Sequence, residues 1–351
     1  MAGVFVLMMS LLALSASVST PDDIRDIDQV VYEDTLHRMQ DGQGYYEATR
    51  ASLIEKDGLP PTQVRSYRTP IVLGLLRYVP EQSWRYVAGL FFAATIGLCA
   101  ALAHPFGRHA ASVAAVLVGF WTIGYAPLLY LHAEIWALPL ALGALLLARR
   151  AAPCVSPAAL ALLTTATLIR ELFGLLLLLV VVQGLVSRKG LITRRLFSWP
   201  ELWPRLAAVA ALLGGMALHA AAAAPYLAEV GYEPPFGNEG MKPAYLASAI
   251  GPGTPPLGLF IGLLGIAFGT IGFIRLRHTD PVARAVGIHS LVLLVLTLTI
   301  GRVYWSYVSG PLFAAFVPAG YSGLAGLAGW NRGRSQLTAE TSDQSVMVVT
   351  T

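Results

Sequence analysis

Long apolar runs alternate with short polar segments along most of the chain. A membrane-spanning helix needs about 20 apolar residues, or about 17 at the short end, and most of the runs reach this length. The alternation therefore predicts an all-α, polytopic membrane protein. The apolar runs are Val4–Thr20, Val87–Ala103, Ala110–Leu129, Ala133–Ala148, Pro157–Val186, Leu206–Ala224, Leu257–Ile274, Val286–Ile300 and Pro311–Ala328.

The run Pro157–Val186 differs from the others in length. At about 1.5 Å per residue it is too long for one straight span and short for two. The charged pair Arg170-Glu171 interrupts it, and cationic pairs flank both of its ends. Cations favour the cytoplasmic side, so both ends are expected on that side. We predict two short helices with Arg170-Glu171 at the turn between them, which brings the count to ten spans.

The distribution of charge gives the spans an orientation. If the N-terminus is cytoplasmic, alternation places more than half of the 24 Lys and Arg residues in cytoplasmic loops and most of the 20 acidic residues outside. This asymmetry follows the positive-inside rule. It predicts a multi-pass plasma-membrane protein with both termini cytoplasmic and an active extracytoplasmic face. The first run, Val4–Thr20, has two interpretations, an uncleaved span or a cleaved signal peptide. We favour the span because no Lys or Arg precedes it.

The segment Pro21–Pro80 is the longest polar stretch of the chain and holds half of its acidic residues. It forms most of a predicted helical first extracytoplasmic loop, residues 21–84, within a membrane domain of residues 1–330. The tail 331–351 is rich in Ser, Thr and Gln and is expected to be a disordered cytoplasmic segment. Chemistry outside the membrane is therefore expected in the first loop.

Composition narrows the class of protein. The chain is 56% hydrophobic and 13% charged, whereas soluble domains carry about 25% charged residues. No basic run interleaved with aromatic residues is present, which argues against nucleic-acid binding. Cys99 and Cys154 lie far apart, so a disulfide framework or zinc site is not expected. Nucleotide-binding and nucleophile-elbow motifs are also missing from the sequence.

Asp28 and Tyr32 form the first candidate pair in the polar segment. Their spacing of four residues puts both on one face of a helix. Asp22, Asp23 and Asp26 lie nearby, and any of these carboxylates could simply favour a helix start. A carboxylate at the membrane surface can also act as a general base for an acceptor hydroxyl or hold a cation against a phosphate.

Three motifs together resemble the integral-membrane glycosyltransferases of the GT-C superfamily. They are Asp28-x-x-x-Tyr32, Asp41-Gly42-Gln43-Gly44-Tyr45-Tyr46 and Tyr67-Arg68-Thr69-Pro70. The resemblance implies a polyprenyl-phosphate-linked sugar as donor and an acidic catalytic base just after the first span. Asp28 matches that position. Glu134 and the pair Arg170-Glu171 resemble the acids and bases at the outer helix ends of that superfamily. No cofactor is implied, and dependence on a divalent cation is left open.

The resemblance and the chemistry of the side chains together define the predicted site. We assign catalytic roles to Asp28 and Glu134, and substrate-binding roles to Tyr32, Tyr45, Tyr46, Arg68, Arg170, Glu171 and Arg302. A guanidinium suits bidentate contact with a lipid phosphate.

Several of these residues also have simpler interpretations. Glu134 could be an interfacial carboxylate, and Arg170 and Glu171 could only pair with each other across a turn. The aromatic residues around Arg302 could belong to an interfacial belt. His219 and His289 lie inside predicted spans, where hydrogen bonds between packed helices are expected.

The predicted function is transfer of a sugar, with inversion, from a polyprenyl-phosphate donor to a glycan, lipid or protein acceptor of the cell envelope. Besides donor and acceptor, the expected partners are membrane lipids. The alternatives are a transporter or flippase of a lipid-linked sugar and a non-catalytic membrane assembly subunit. Transporters place their charges near the bilayer midplane, whereas the acids here gather on one outer surface. This distribution favours the enzyme.

Overall fold

Helices are the only regular elements in the part of the chain that the structure, a computed structural model, describes: residues 27–56, 67–151, 156–182, 199–227, 267–300, 312 and 314–320. The predicted all-α class is confirmed for these residues. The helices are α1 (Ile27–Gln40), α2 (Tyr45–Glu55), α3 (Ile71–Leu76), α4 (Trp84–Ala103), α5 (Arg108–Leu129), α6 (Ala133–Ala151), α7 (Pro157–Ile169), α8 (Gly174–Val181), α9 (Trp199–Ala223), α10 (Ala267–Leu276) and α11 (Pro281–Ile300).

The helix α6 lies at the centre of the bundle. It packs against α4 and α7, while α4 also packs against α5 and α7 against α9. The side chains of Ala137, Leu138, Ala141, Leu142 and Leu145 in α6 are fully buried. A helix that is apolar on every side needs neighbours on every side, and its alanines allow those neighbours to approach closely.

The polar helices α1 and α2 cover one end of this bundle, which we call the upper end. The Tyr130 hydroxyl, just after α5, donates a hydrogen bond of 2.5 Å to Glu33 of α1. The Gln29 Oε1 atom accepts a hydrogen bond of 3.0 Å from the backbone N–H of Leu131. His37 contacts the ring of Trp84 at the start of α4. The end of α5 and the start of α4 therefore meet the same helix.

The opposite, lower end carries a different set of contacts. Arg149 near the end of α6 forms an ion pair of 2.6 Å with Asp280, which precedes α11. The Asp280 carboxylate also accepts hydrogen bonds from the N–H groups of Val282 and Ala283 and so caps α11. The Arg149 guanidinium lies over the ring of Phe106 as well. The lower ends of α4, α6 and α11 are thus in contact.

The predicted break at Arg170 is present. α7 ends at Ile169, Arg170 has an extended backbone with φ −143° and ψ 110°, and a short 3-10 turn at Glu171–Phe173 leads into α8. The last carbonyls of a helix lack partners within it. Here the Thr69 hydroxyl donates a hydrogen bond of 2.5 Å to the Leu168 carbonyl, which attaches the polar segment to the end of α7.

Within the described residues, two helical stretches, Glu81–Phe106 and Leu202–Tyr226, are long and apolar enough to cross a membrane. Only 17% of the most apolar part of the second is buried, and Leu213 and Leu218 are largely exposed on its surface. The other apolar helices are shorter. The predicted first span Val4–Thr20, the predicted tail, Asp22, Asp23, Asp26, Cys154 and Arg302 lie outside the described residues.

Candidate functional site

Most of the predicted site residues meet at the upper end of the bundle. We call the group of Tyr32, Arg68, Glu134, Arg170 and Glu171 the charged cluster. Tyr32 comes from α1, Arg68 from the segment before α3, Glu134 from the first turn of α6, and Arg170 and Glu171 from the break after α7. These positions are far apart in sequence, and only the packing of α6 against α7 under the polar segment brings them together.

An ion pair between Glu134 and Arg170 forms the base of the cluster. Arg170 Nε lies 2.7 Å from Glu134 Oε1, and the two residues are 2% and 5% exposed. The position of Glu134 in the first turn of α6 suits a carboxylate, because the N-terminus of a helix carries a partial positive charge. Buried charges require partners. Glu134 is thus buried within the bundle and paired with Arg170.

Glu171 joins the two arginines of the cluster. Its Oε1 atom lies 2.9 Å from Arg170 Nη1 and 3.3 Å from Arg68 Nη1. The Glu171 side chain is 51% exposed, whereas the Arg68 side chain is 15% exposed. The simpler interpretation of Arg170-Glu171, a mutual ion pair at the turn, is therefore correct but incomplete, because each residue also binds a more distant partner.

Arg68 is held on both its backbone and its side chain. Its carbonyl accepts a hydrogen bond of 2.6 Å from the Tyr45 hydroxyl, and its Nε donates to the Tyr32 hydroxyl at 3.4 Å. Burial alone would lower the pKa of Arg68, but Tyr32, Glu171 and Glu134 together raise it. The guanidinium therefore stays charged and points in a fixed direction.

Tyr32 connects Asp28 to the cluster. Burial raises the pKa of the Tyr32 hydroxyl to about 12, with Arg68 opposing this shift and the charges of Asp28 and Glu134 adding to it. Asp28 and Tyr32 both lie on α1, in agreement with a helical first loop, and Asp28 is half-buried. Asp28 is thus close enough for its charge to act on the cluster, and the residue is only half-buried.

His132 is a neighbour of the cluster that the sequence analysis did not select. Its ring lies edge-on to that of Tyr32, with centroids 5.7 Å apart and an interplanar angle of 82°. His132 is buried and lies two residues before Glu134. The closeness of His132 in sequence to Glu134, a candidate acid at a predicted span end, could have marked it as a site residue.

Tyr46 belongs to a separate aromatic cluster of Tyr46, Tyr67, His219 and Tyr226. The Tyr46 hydroxyl lies 2.9 Å from His219 Nδ1, and His219 Nε2 lies 2.8 Å from the Tyr67 carbonyl. A carbonyl only accepts, so Nε2 carries the proton and Nδ1 accepts from Tyr46. The Tyr67 hydroxyl donates to the Tyr226 carbonyl at 2.7 Å. This cluster fastens the polar segment to α9.

The two histidines inside predicted spans therefore differ. His219 does make hydrogen bonds, to residues of the polar segment. His289 of α11 is fully buried with neither ring nitrogen hydrogen-bonded to a described residue, and its ring stacks on that of Phe173 with centroids 6.3 Å apart. Among the described residues, His289 therefore makes no hydrogen bond between helices, and its ring packs against that of Phe173.

In the described part of the chain, no group of three or more His, Cys, Asp or Glu side chains is placed to hold a metal ion. Comparisons with protein-family models, with curated proteins and with solved structures found no match to this chain. The chemistry of the cluster is that of fixed guanidinium groups, a nearby half-buried carboxylate and an exposed carboxylate between the two arginines.

Proposed function

We propose that this protein is a multi-pass membrane glycosyltransferase of the GT-C type, with ten spans and the charged cluster at its extracytoplasmic face. It moves a sugar from a polyprenyl-phosphate donor to an acceptor of the cell envelope. The observation that carries the proposal is the convergence of Arg68, Glu134 and Arg170 beside Asp28 at the upper end of the bundle. A donor with a phosphate next to the anomeric carbon requires a fixed cation close to a base.

Two features of the fold support a membrane location. The exposed apolar surface of Leu202–Tyr226 is what lipid would cover, since soluble monomers rarely expose large apolar patches. In addition, Arg149 and Asp280, which the charge distribution assigns to the cytoplasmic side, meet at the lower end. The acidic polar segment lies at the upper end. This division agrees with the proposed orientation.

In the proposed reaction Asp28 takes the proton of the acceptor hydroxyl. The acceptor oxygen attacks the anomeric carbon from the face opposite the phosphate, and the bond between that carbon and the phosphate oxygen breaks. Polyprenyl phosphate leaves, and the configuration at the anomeric carbon inverts. Arg68, assisted by Arg170, stabilises the charge on the departing phosphate.

In this proposal Glu134 positions another residue and does not take part in catalysis directly. Its carboxylate is committed to Arg170 at 2.7 Å, and a carboxylate held in a buried ion pair is a poor proton acceptor. We therefore assign Glu134 to positioning Arg170. Asp28, which is half-buried on α1, is the better general base.

Asp28→Asn tests the proposal, because it keeps the shape of the side chain and removes the base. The matched control is Asp41→Asn, an exposed carboxylate just beyond the other end of α1. Purified protein is incubated with a panel of radiolabelled polyprenyl-phosphate sugars and a mixture of envelope acceptors. We expect Asp28→Asn to lower the turnover rate roughly 10²–10⁴-fold and Asp41→Asn to leave it unchanged.

One observation favours the transporter alternative: ion pairs buried inside a helical bundle, such as Glu134–Arg170, can mark transport paths. Proteoliposomes carrying labelled lipid-linked sugars separate the two functions. Movement of the intact lipid between leaflets, without sugar transfer by the wild-type protein, would replace the enzyme with a flippase. Sugar transfer that Asp28→Asn leaves intact would keep the enzyme and move the base to another residue.

A further inference from the structure

We propose that the Glu171 carboxylate occupies the place of a ligand phosphate, and that the phosphate of a polyprenyl-phosphate ligand displaces Glu171 from Arg68 and Arg170 when it binds. The inference rests on the proposed function for the identity of the ligand and adds to it the position and mode of phosphate binding. It makes Glu171 a displaceable stand-in for the ligand and not a permanent contact.

The geometry of the two arginines is the first argument. Both guanidinium groups place an Nη1 atom within ion-pair distance of a single oxygen, Glu171 Oε1, at 2.9 and 3.3 Å. A position that two guanidinium groups share is an anion site, and phosphate, like carboxylate, is an anion that guanidinium groups bind with charge-assisted hydrogen bonds.

The difference in exposure is the second argument. Arg170 is 2% exposed and Glu171 51%, so the cations are buried in the protein while the anion faces outward. Glu134 holds Arg170, and Tyr32 and Tyr45 hold Arg68 through its side chain and carbonyl. Of these contacts, those of Glu171 cost the least free energy to break, because an ion pair of a half-exposed side chain contributes little to stability.

The balance of charge is the third argument. If Glu171 turns away, Glu134 still lies 2.7 Å from Arg170, and the exposed side of the charged cluster loses one negative charge. The phosphate diester of a sugar donor carries one negative charge at neutral pH, which replaces that of Glu171. Glu171 itself lies in a short 3-10 turn next to the extended Arg170, and its side chain can rotate outward without disturbing a long helix.

Direct binding measurements with purified protein in detergent test this displacement. The probe is polyprenyl phosphate without a sugar, so the result does not depend on catalysis. Glu171→Gln removes the competing charge and keeps the shape, and we expect it to lower the Kd roughly three- to tenfold. Glu171→Ala should act in the same direction. Arg68→Gln should raise the Kd by at least about tenfold.

Glu55→Gln is the matched control. The Glu55 side chain is 54% exposed and pairs with Lys56 at 2.8 Å and with Arg38, so it has nearly the same exposure and the same number of cationic partners as Glu171. It lies outside the charged cluster, and its substitution should leave the Kd unchanged. Binding of polyprenol, which has no phosphate, measures the contribution of the lipid chain to affinity. Binding of inorganic phosphate measures the contribution of the anion alone.

Unchanged or weaker binding of polyprenyl phosphate to both Glu171 variants would overturn the inference, as would an equal gain for polyprenol. A gain for inorganic phosphate as well as for the lipid would support it and show that the anion is recognised without its chain. The proposed function fails separately. If the wild-type protein transfers sugar but Glu171→Gln does not bind polyprenyl phosphate more tightly, only the displacement of Glu171 is refuted. If Glu171→Gln binds it more tightly but the wild-type protein transfers no sugar, only the proposed glycosyltransferase activity is refuted.

Discussion

Removing Arg170 from its buried ion pair with Glu134 should destabilise the protein more than removing the charge of Glu134. Arg170→Met leaves the Glu134 carboxylate buried without the cation that lies 2.7 Å from it. Loss of one partner of a buried pair costs about 3–5 kcal/mol. Glu134→Gln leaves Arg170 with Glu171 at 2.9 Å, so the loss should be smaller, about 1–3 kcal/mol.

The double variant Glu134→Gln/Arg170→Met is the decisive comparison. It removes both buried charges at once, and replacing a buried ion pair by uncharged side chains is often nearly neutral. We therefore expect the double variant to be more stable than Arg170→Met alone. Arg38→Met is the control, because the Arg38 side chain is 24% exposed and the Arg170 side chain 2%, and its loss should cost less than that of Arg170.

Unfolding can be followed by tryptophan fluorescence during titration with a denaturing detergent in mixed micelles. Trp136 in α6 is a suitable reporter, since it is buried against Phe91 with ring centroids 4.5 Å apart. A loss in the double variant equal to the sum of the two single losses would refute the coupling of Glu134 to Arg170. So would an Arg170→Met protein as stable as the wild type.

Three further predictions concern other contacts. Asp280→Asn keeps a capping oxygen for α11 and removes only an ion pair, so Asp280→Ala should be less stable than Asp280→Asn by about 1 kcal/mol in the same titration. Tyr46→Phe leaves His219 Nδ1 without its hydrogen bond and should cost about 1–3 kcal/mol, whereas Tyr78→Phe, at a residue 79% exposed, should cost nothing measurable. Because burial raises the pKa of Tyr32 in the folded protein to about 12, the unfolded chain loses this proton first. The contribution of Tyr32 to the free energy of unfolding should be constant below about pH 10 and fall between about pH 10 and 12. Tyr32→Phe should reduce that fall, which is measured by unfolding the protein at each pH.

The local elements could be predicted from the sequence because their causes are local. The apolar runs that predicted spans at Val87–Ala103 and Ala110–Leu129 correspond to α4 and α5 within a few residues. The charged pair in the middle of an apolar run predicted the break after α7. The spacing of Asp28 and Tyr32 placed them on one face of a helix if that part was helical, and both lie on α1. Each of these depends on neighbours within one or two helical turns, and hydrophobicity and periodicity report on them directly.

The partners within the site were decided only by tertiary structure. Types and positions of side chains indicated Glu134, Arg68 and Arg170 as candidates, but nothing near Glu134 in the chain specifies Arg170 as its partner. Tyr45 and Tyr46 are adjacent, and yet one bonds to Arg68 and the other to His219. Successive residues of a helix point about 100° apart, so each tyrosine meets a different neighbour. Which neighbour that is depends on how the polar segment lies across the ends of α7 and α9, and long-range packing alone determines this.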